Sequence, residues 1–233
     1  MERSRSERGL LVRIQDRGLS VHGSEAAKRD TLPRMREPKG RYSRGYLPHI
    51  DDGQATQFVA FRLADSMPSS VMNTWRAELA KLPDTERKRE MYVRIEAYLD
   101  AGHGSCVLGR SAAASAVQDT LLMYAQDRYF LHEWVVMLNH VHALLTPRKY
   151  QSLAMIMQSI KGHSARQVHA AIGGEGRLWQ PDYFDRMIRD EEHFEKVGKY
   201  ITWNPVKAGL CKDPTLWMHS SANARFRDDV SAD

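Results

Sequence analysis

The chain has 233 residues, 42% hydrophobic and 27% charged, with a net charge of +5. That size and balance suit one well-buried domain with extensions, or at most two small ones, and the absence of any run of 18 apolar residues argues against a membrane-spanning helix. The basic N-terminus has no apolar core after it, as a secretory signal would, and the two cysteines, Cys106 and Cys211, have no CxxC spacing, so a reducing cytoplasm is expected rather than a disulfide framework or zinc ribbon.

Charge is unevenly placed. Residues 1–48 hold 12 Lys/Arg against 6 Asp/Glu, whereas residues 49–233 hold 22 against 23. Residues 1–44, rich in Arg and Ser without a sustained period, read as a disordered basic arm. Such an arm adds non-specific phosphate affinity or is an extension without a role. A nucleic-acid groove in the remainder has to come from local clustering, for which Arg148, Lys149, Lys161, Arg166, Arg186, Arg189, Lys196 and Lys199 are the candidates.

One domain over 45–222 follows, and 223–233 is a polar tail. Gln57–Leu63, with β-branched and aromatic residues ahead of Pro68, predicts a first strand. Residues 70–82 and 84–101 predict helices, with Pro83 as breaker and Asp84 as cap. Gly102-His103-Gly104-Ser105 is a turn, and Ser111–Asp127 a further helix with Val117, Leu121, Leu122 and Tyr124 on one stripe. Tyr129–Leu138 and His140–Leu145 predict two antiparallel strands meeting at Leu138-Asn139. Residues 149–171 predict an amphipathic helix, ended by Gly173-Gly174-Glu175-Gly176. Trp179–Ile188 reads as an extended segment or edge strand. Acidic residues Asp190-Glu191-Glu192 then open a last helix that ends before Pro205. The order predicts an α+β fold with helices packed on an antiparallel sheet.

The chemistry centres on His140-Val141-His142. Residues i and i+2 of a strand share a face, so both imidazoles project together while Val141 is buried on the other side. Two polar rings among strong β-formers need a reason to be there. Satisfied core histidines are one reading; a grip on a divalent ion is the other. In the last helix Tyr200 and Asn204 are four apart and share a face. Tyr200 offers a hydroxyl nucleophile and Asn204 an oxygen ligand, against the alternative that Tyr200 only packs. Lys196, one turn back, and less directly Lys199, are candidates to favour the phenolate, whose ordinary pKa near 10 keeps it protonated. Trp179, Tyr183 and Phe184 are either core or a stacking platform for unpaired bases. His132, His163 and His169 carry no specific signal.

These residues resemble a known family. His140-Val141-His142 resembles the histidine–hydrophobe–histidine (HUH) signature of single-tyrosine HUH transposases. The strings Trp134–His142, Trp179–Glu192 and Tyr200–Leu210 are similar to the REP-associated tyrosine transposases of bacteria, as are Arg44–His49 and Phe61–Asp65. The resemblance covers roughly residues 44–222 and implies a ferredoxin-like (RRM-like) sheet with the histidine pair on a central strand. It implies Mg²⁺ or Mn²⁺ bound by His140, His142 and Asn204, and Tyr200 as nucleophile. Its implied substrate is single-stranded DNA beside a hairpin of the repetitive extragenic palindrome type, cleaved and rejoined through a 5′-phosphotyrosine by a monomer or homodimer in the bacterial cytoplasm. A non-cleaving hairpin-binding regulator and a replication-initiator or relaxase-like nickase are the alternatives. The chain departs from the family at Trp203-Asn204-Pro205, where an Asn-Asn-Pro is expected, and at Trp217-Met218-His219-Ser220-Ser221, where Trp-Pro-Trp-Ser-Ser is usual. Residues 1–43 have no counterpart.

Overall fold

The computed structural model describes residues 40–44, 47–51 and 54–226. Most of the expected arm, residues 1–39, and the end of the tail, residues 227–233, lie outside the described residues. Residues 40–44, assigned to the arm on sequence grounds, form strand β1 (Gly40–Arg44), which pairs antiparallel with β2 (Leu47–Asp51). A backbone ladder holds a segment whose polar side chains gave no strand signal.

The main sheet contains β3 (Gln57–Arg62), β4 (Tyr129–Val136), β5 (His140–Pro147) and β6 (Phe184–Met187) in the order β4-β5-β3-β6. Every pairing is antiparallel. With helices between β3 and β4 and between β5 and β6, this is the ferredoxin-like arrangement. β5 lies between β4 and β3, so the histidine pair does sit on a central strand.

Both faces of the sheet are covered, and β5 reads as a nearly continuous apolar run for that reason. Val141, Ala143 and Leu145 join Val59 and Phe61 in a core closed by α3 (Ser111–Tyr124) and α4 (Leu153–Ile172). On the other face Phe58, Val135 and Leu144 pack against α5 (Glu191–Lys207) through Ile201, Val197 and Phe194. Ser152 caps α4 by accepting from the Met155 N–H at 3.3 Å, and Asp190 caps α5 by accepting from the His193 N–H at 2.7 Å.

The helices before β4 form an outlying pair, α1 (Ser69–Glu78) and α2 (Asp84–Asp100), with a small core of Met67, Met72 and Leu99 joined by Trp75, Met91, Ile95 and Tyr98. Asp84 is the first residue of α2 rather than its cap; Pro83 is the capping residue, and Asp84 pairs along the helix with Lys88 and Arg87. Helix α5 also differs from expectation, since it runs through Pro205 to Lys207. The proline ring removes only the donor that would meet the Ile201 carbonyl, and so close to the helix end little ladder is lost. The Ala208 and Leu210 N–H groups return to the Asn204 and Pro205 carbonyls.

The polar C-terminal segment is folded as far as Phe226. The N–H of Ser221 donates to the Trp134 carbonyl, that of Val136 to the His219 carbonyl, and the Trp217 indole to the Val136 carbonyl at 2.9 Å. Residues 217–221 therefore cover the β4 edge of the sheet, which would otherwise expose unpaired backbone. Among the described residues no helix is long and apolar enough to cross a membrane.

The turn between α2 and α3 is tightly fitted. Gly104 has φ +90°, and a Cβ there would lie 2.8 Å from the Asp65 carbonyl oxygen. Gly104→Ala therefore combines left-handed strain with a backbone clash and is expected to cost about 1–2 kcal/mol or more, read as a lower urea midpoint at unchanged m-value. An unaltered midpoint would show that the turn tolerates a side chain.

Candidate active site

The two imidazoles project from β5 toward α5 and α2, and are 1% and 0% exposed for His140 and His142. Their ring centroids are 4.7 Å apart. Asn139, at the turn entering β5 and fully buried, sets the first ring. Its amide nitrogen donates to the His103 carbonyl at 2.8 Å, which turns its oxygen toward His140 Nδ1 at 2.7 Å. An amide oxygen only accepts, so Nδ1 carries the proton and the neutral ring presents a lone pair at Nε2. Burial, with Lys207 and Arg62 adding to it, pushes the His140 pKa down to about 3. Burial, the neighbouring His140 and Lys207 hold His142 well below the ordinary value. Both rings are thus neutral, the form that ligates metal.

Tyr200 lies beside them, its ring centroid 5.5 Å from that of His142 and 6.0 Å from that of Phe58. Its hydroxyl donates to Glu96 of α2. Burial first, and then the Glu96 carboxylate, raise the Tyr200 pKa. Lys196 lines the same groove but is exposed, and Lys199 is exposed as well. The cation found beside the ring is instead Lys207, with Nζ 5.7 Å from the centroid. Glu96 is itself pushed up to about 7, chiefly by burial and partly offset by the hydrogen bond from Tyr200.

Three residues of α2 reach this centre: Tyr92, Glu96 and Asp100, at four-residue spacing on one face. Glu96 Oε2 is 3.5 Å from His142 Nε2, and Asp100 Oδ1 is 4.0 Å from His140 Nε2. Sequence reasoning passed over them. The available signal was a Tyr-x₃-Glu-x₃-Asp stripe running beside the apolar stripe of Met91, Ile95 and Leu99.

The residues expected to touch nucleic acid divide into two groups. Arg186, Arg189 and Lys196 are exposed and line a groove with Phe58, Tyr92, Val197 and Tyr200. Arg186 lies over the Tyr92 and Phe184 rings at 5.5 and 5.6 Å. Arg166 and Lys149 are exposed, Lys149 against Tyr150, and Arg148 is half-buried over the Phe130 ring at 4.3 Å. Lys161 and Trp179 do not fit the role. Lys161 Nζ donates to the carbonyls of Gln180, Pro181 and Asp182 at 2.6, 2.8 and 3.2 Å, so its charge closes a turn. Trp179 is buried against Phe61 at 4.8 Å, with its indole N–H on Ser164 Oγ at 3.0 Å. Its ring is buried and is not free to stack on a base. Tyr183 is likewise buried. His132 meets Thr146 at 2.7 Å, His163 packs on Tyr124, and His169 meets the Gly176 carbonyl at 3.2 Å.

The fit to a divalent ion can be judged from the orphaned polar atoms. His140 Nε2, both ring nitrogens of His142 and both amide atoms of Asn204 are buried without a hydrogen-bond partner. Such atoms together cost several kcal/mol, at about 1–3 each, unless something satisfies them. Asn204 is fully buried one helical turn beyond Tyr200. Among the described residues no three His, Cys, Asp or Glu side chains form a ready metal cage. The donor set is two imidazoles and an amide, and it suits an ion that keeps open positions.

Residues 114–204 match the family described as IS200-like transposases. The likeness is confined to this segment. It spans α3 to Asn204 and so contains the histidine pair, Tyr200 and Asn204, but not α2. The REP-associated tyrosine transposase of Escherichia coli (strain K12) is 28% identical over 117 residues, which are 49% of this chain and 66% of that relative. A solved structure of the REP-associated tyrosine transposase bound to a REP hairpin is 19% identical, with a TM-score of 0.46 over 77% of this chain and 81% of that one. A transposase-like structure from Deinococcus radiodurans is 16% identical, with a TM-score of 0.29 over 69% and 94%.

A buried neutral histidine in this IS200-like segment has a sign-definite effect on stability. The folded pKa of His140 is depressed, so its stabilising contribution is complete above about pH 6.5 and is lost as pH falls toward about 3. His140→Gln removes one such group. Urea unfolding measured from pH 6.5 to 4 is expected to show a shallower loss of stability in the variant, by up to about 1.4 kcal/mol per pH unit. Parallel curves would contradict a buried neutral imidazole.

Proposed function

We propose that this protein is a metal-dependent single-stranded DNA endonuclease and strand transferase, which cleaves and rejoins DNA beside REP-type hairpins through a 5′-phosphotyrosine. The observation that carries the reading is the contact of Tyr200 with a buried, neutral histidine pair whose Nε2 atoms lack partners. The similarity to the REP-associated tyrosine transposase of E. coli supports the substrate class. A cytoplasmic, nucleoid-associated location follows from that substrate.

His140, His142 and Asn204 would hold Mg²⁺ or Mn²⁺. Such an ion, when bound, polarises the scissile phosphate and stabilises charge on its oxygens. The chain does the rest. Arg186, Arg189 and Lys196 draw the strand along the groove and neutralise its phosphates. Phe58 meets the Tyr200 ring edge-on, and the hydrogen bond to Glu96 sets the direction of its hydroxyl. The proton of Tyr200 leaves along its hydrogen bond to Glu96 while the oxygen attacks phosphorus. The O–P bond to tyrosine forms, the bond to the 3′ oxygen breaks, and that oxygen takes up a proton to leave as a 3′-OH. Attack by another 3′-OH reverses the sequence and joins strands without an external energy source. A duplex is too stiff to bend its phosphate into so buried a centre, whereas a single strand can. Tyr200 and the histidines meet within one chain, an arrangement that suits a monomer or a homodimer with a site in each subunit.

The test is a hairpin oligonucleotide with a single-stranded flank, incubated with Mn²⁺ and resolved under denaturing conditions. Wild type is expected to give a covalent protein–DNA band, and Tyr200→Phe none. A band of equal intensity from Tyr200→Phe would remove tyrosine 200 as nucleophile. Hairpin binding without any band from wild type, across metals and flanks, would favour a non-cleaving regulator.

A further inference from the structure

We propose that Asp100, at the C-terminal end of α2, is an additional ligand of the divalent ion and supplies the anionic oxygen that His140, His142 and Asn204 lack. The inference rests on the metal-dependent reading above and extends it to a residue outside the segment shared with the IS200-like transposases.

The argument starts from two acceptors that face each other. Asn139 fixes the proton of His140 on Nδ1, so Nε2 presents a lone pair. The atom 4.0 Å away is Asp100 Oδ1, a carboxylate oxygen that also has only lone pairs to offer. Both atoms are buried, and neither has a hydrogen-bond partner. A lone pair opposite a lone pair in a site closed to water is unfavourable unless a cation lies between them. Two ligands each about 2.1 Å from one ion can stand at most roughly 4.2 Å apart, and 4.0 Å lies within that span.

The second oxygen of Asp100 explains why the first stays free. Oδ2 is held by Lys207 Nζ at 2.8 Å, from the last turn of α5. With Oδ2 engaged there, Oδ1 is the oxygen left facing His140. α2 is anchored by Leu99 in the α1–α2 core and by the hydrogen bond that Glu96 accepts from Tyr200, so the Asp100 backbone is not free to swing away.

Cation chemistry points the same way. Two imidazoles and an amide are a neutral set. Mg²⁺ and Mn²⁺ prefer oxygen, and most sites for them include a carboxylate. Asp100 adds one negative charge and one hard oxygen at the open side of His140. Among the described residues no three His, Cys, Asp or Glu side chains are already drawn together as a cage, and Asp100 is the carboxylate that faces His140 Nε2.

The experiment is a Mn²⁺ titration of the full chain without DNA, with free Mn²⁺ read by electron paramagnetic resonance. Four variants are compared with wild type, each checked for folding by thermal melting. Asp100→Asn is expected to weaken Mn²⁺ binding by about tenfold or more, and Asp100→Glu to recover part of the loss. Lys207→Met, which removes a cation competing for the same carboxylate, is expected to bind Mn²⁺ at least as tightly as wild type. His142→Ala is expected to bind weakly. If Asp100→Asn binds like wild type while His142→Ala does not, the assignment of Asp100 is overturned and the histidine site stands. If Lys207→Met weakens binding as much as Asp100→Asn, the ion pair acts only as a structural brace, and the assignment is again overturned. Failure of wild type to bind Mn²⁺ overturns the metal reading and this inference together. Should Asp100→Asn not fold, Asp100→Ser serves in its place under the same criteria.

Discussion

The structure depends on the burial of two neutral imidazoles on the central strand of a sheet covered on both faces. Polar atoms without partners are costly there, and an all-apolar β5 would pack as well. What the arrangement gains is a pair of lone-pair donors held in fixed directions and closed to bulk water, where electrostatic interactions are strong. The surrounding features can be understood as supports of that pair. Asn139 sets the tautomer of His140, the turn at Gly104 holds the His103 carbonyl that orients Asn139, and α5 brings Tyr200 against His142.

Charge within the site is balanced between two elements distant in sequence. α2 contributes Glu96 and Asp100, and α5 contributes Tyr200 and Lys207. They are joined by contacts of Tyr200 with Glu96 and Tyr92 and of Lys207 with Asp100. Tyr200 is therefore protonated and engaged in the resting protein. Its raised pKa follows from burial and from the carboxylate facing it, so the hydroxyl is not a standing phenolate. Under the proposed function, activation has to change what Glu96 faces, as an entering cation and phosphate would.

Much of this was legible in the sequence, because the main signals are local. The period-2 run through His140-Val141-His142 gave the strand, the shared face and the burial of Val141. The four-residue spacing of Tyr200 and Asn204 gave their common helix. Three features were not legible. β1 has no hydrophobic pattern and is held by its ladder to β2. Pro205 reads as a stop, yet so near the helix end it removes only one hydrogen bond. The α2 stripe of Tyr92, Glu96 and Asp100 looks like an ordinary polar face until the tertiary fold sets it against β5. Trp179 and Lys161 failed as DNA contacts for a related reason: residue type alone cannot separate a stacking ring from a core ring, or a phosphate-binding lysine from one that closes a turn on three carbonyls.

The central claim is that the His140 and His142 Nε2 lone pairs bind a divalent ion beside Tyr200. Its most direct test is the anomalous difference map of crystals grown with Mn²⁺. The account predicts one strong peak about 2.0–2.2 Å from both Nε2 atoms, on the Tyr200 side of the sheet. A peak elsewhere, with water or nothing between the two rings, would contradict it.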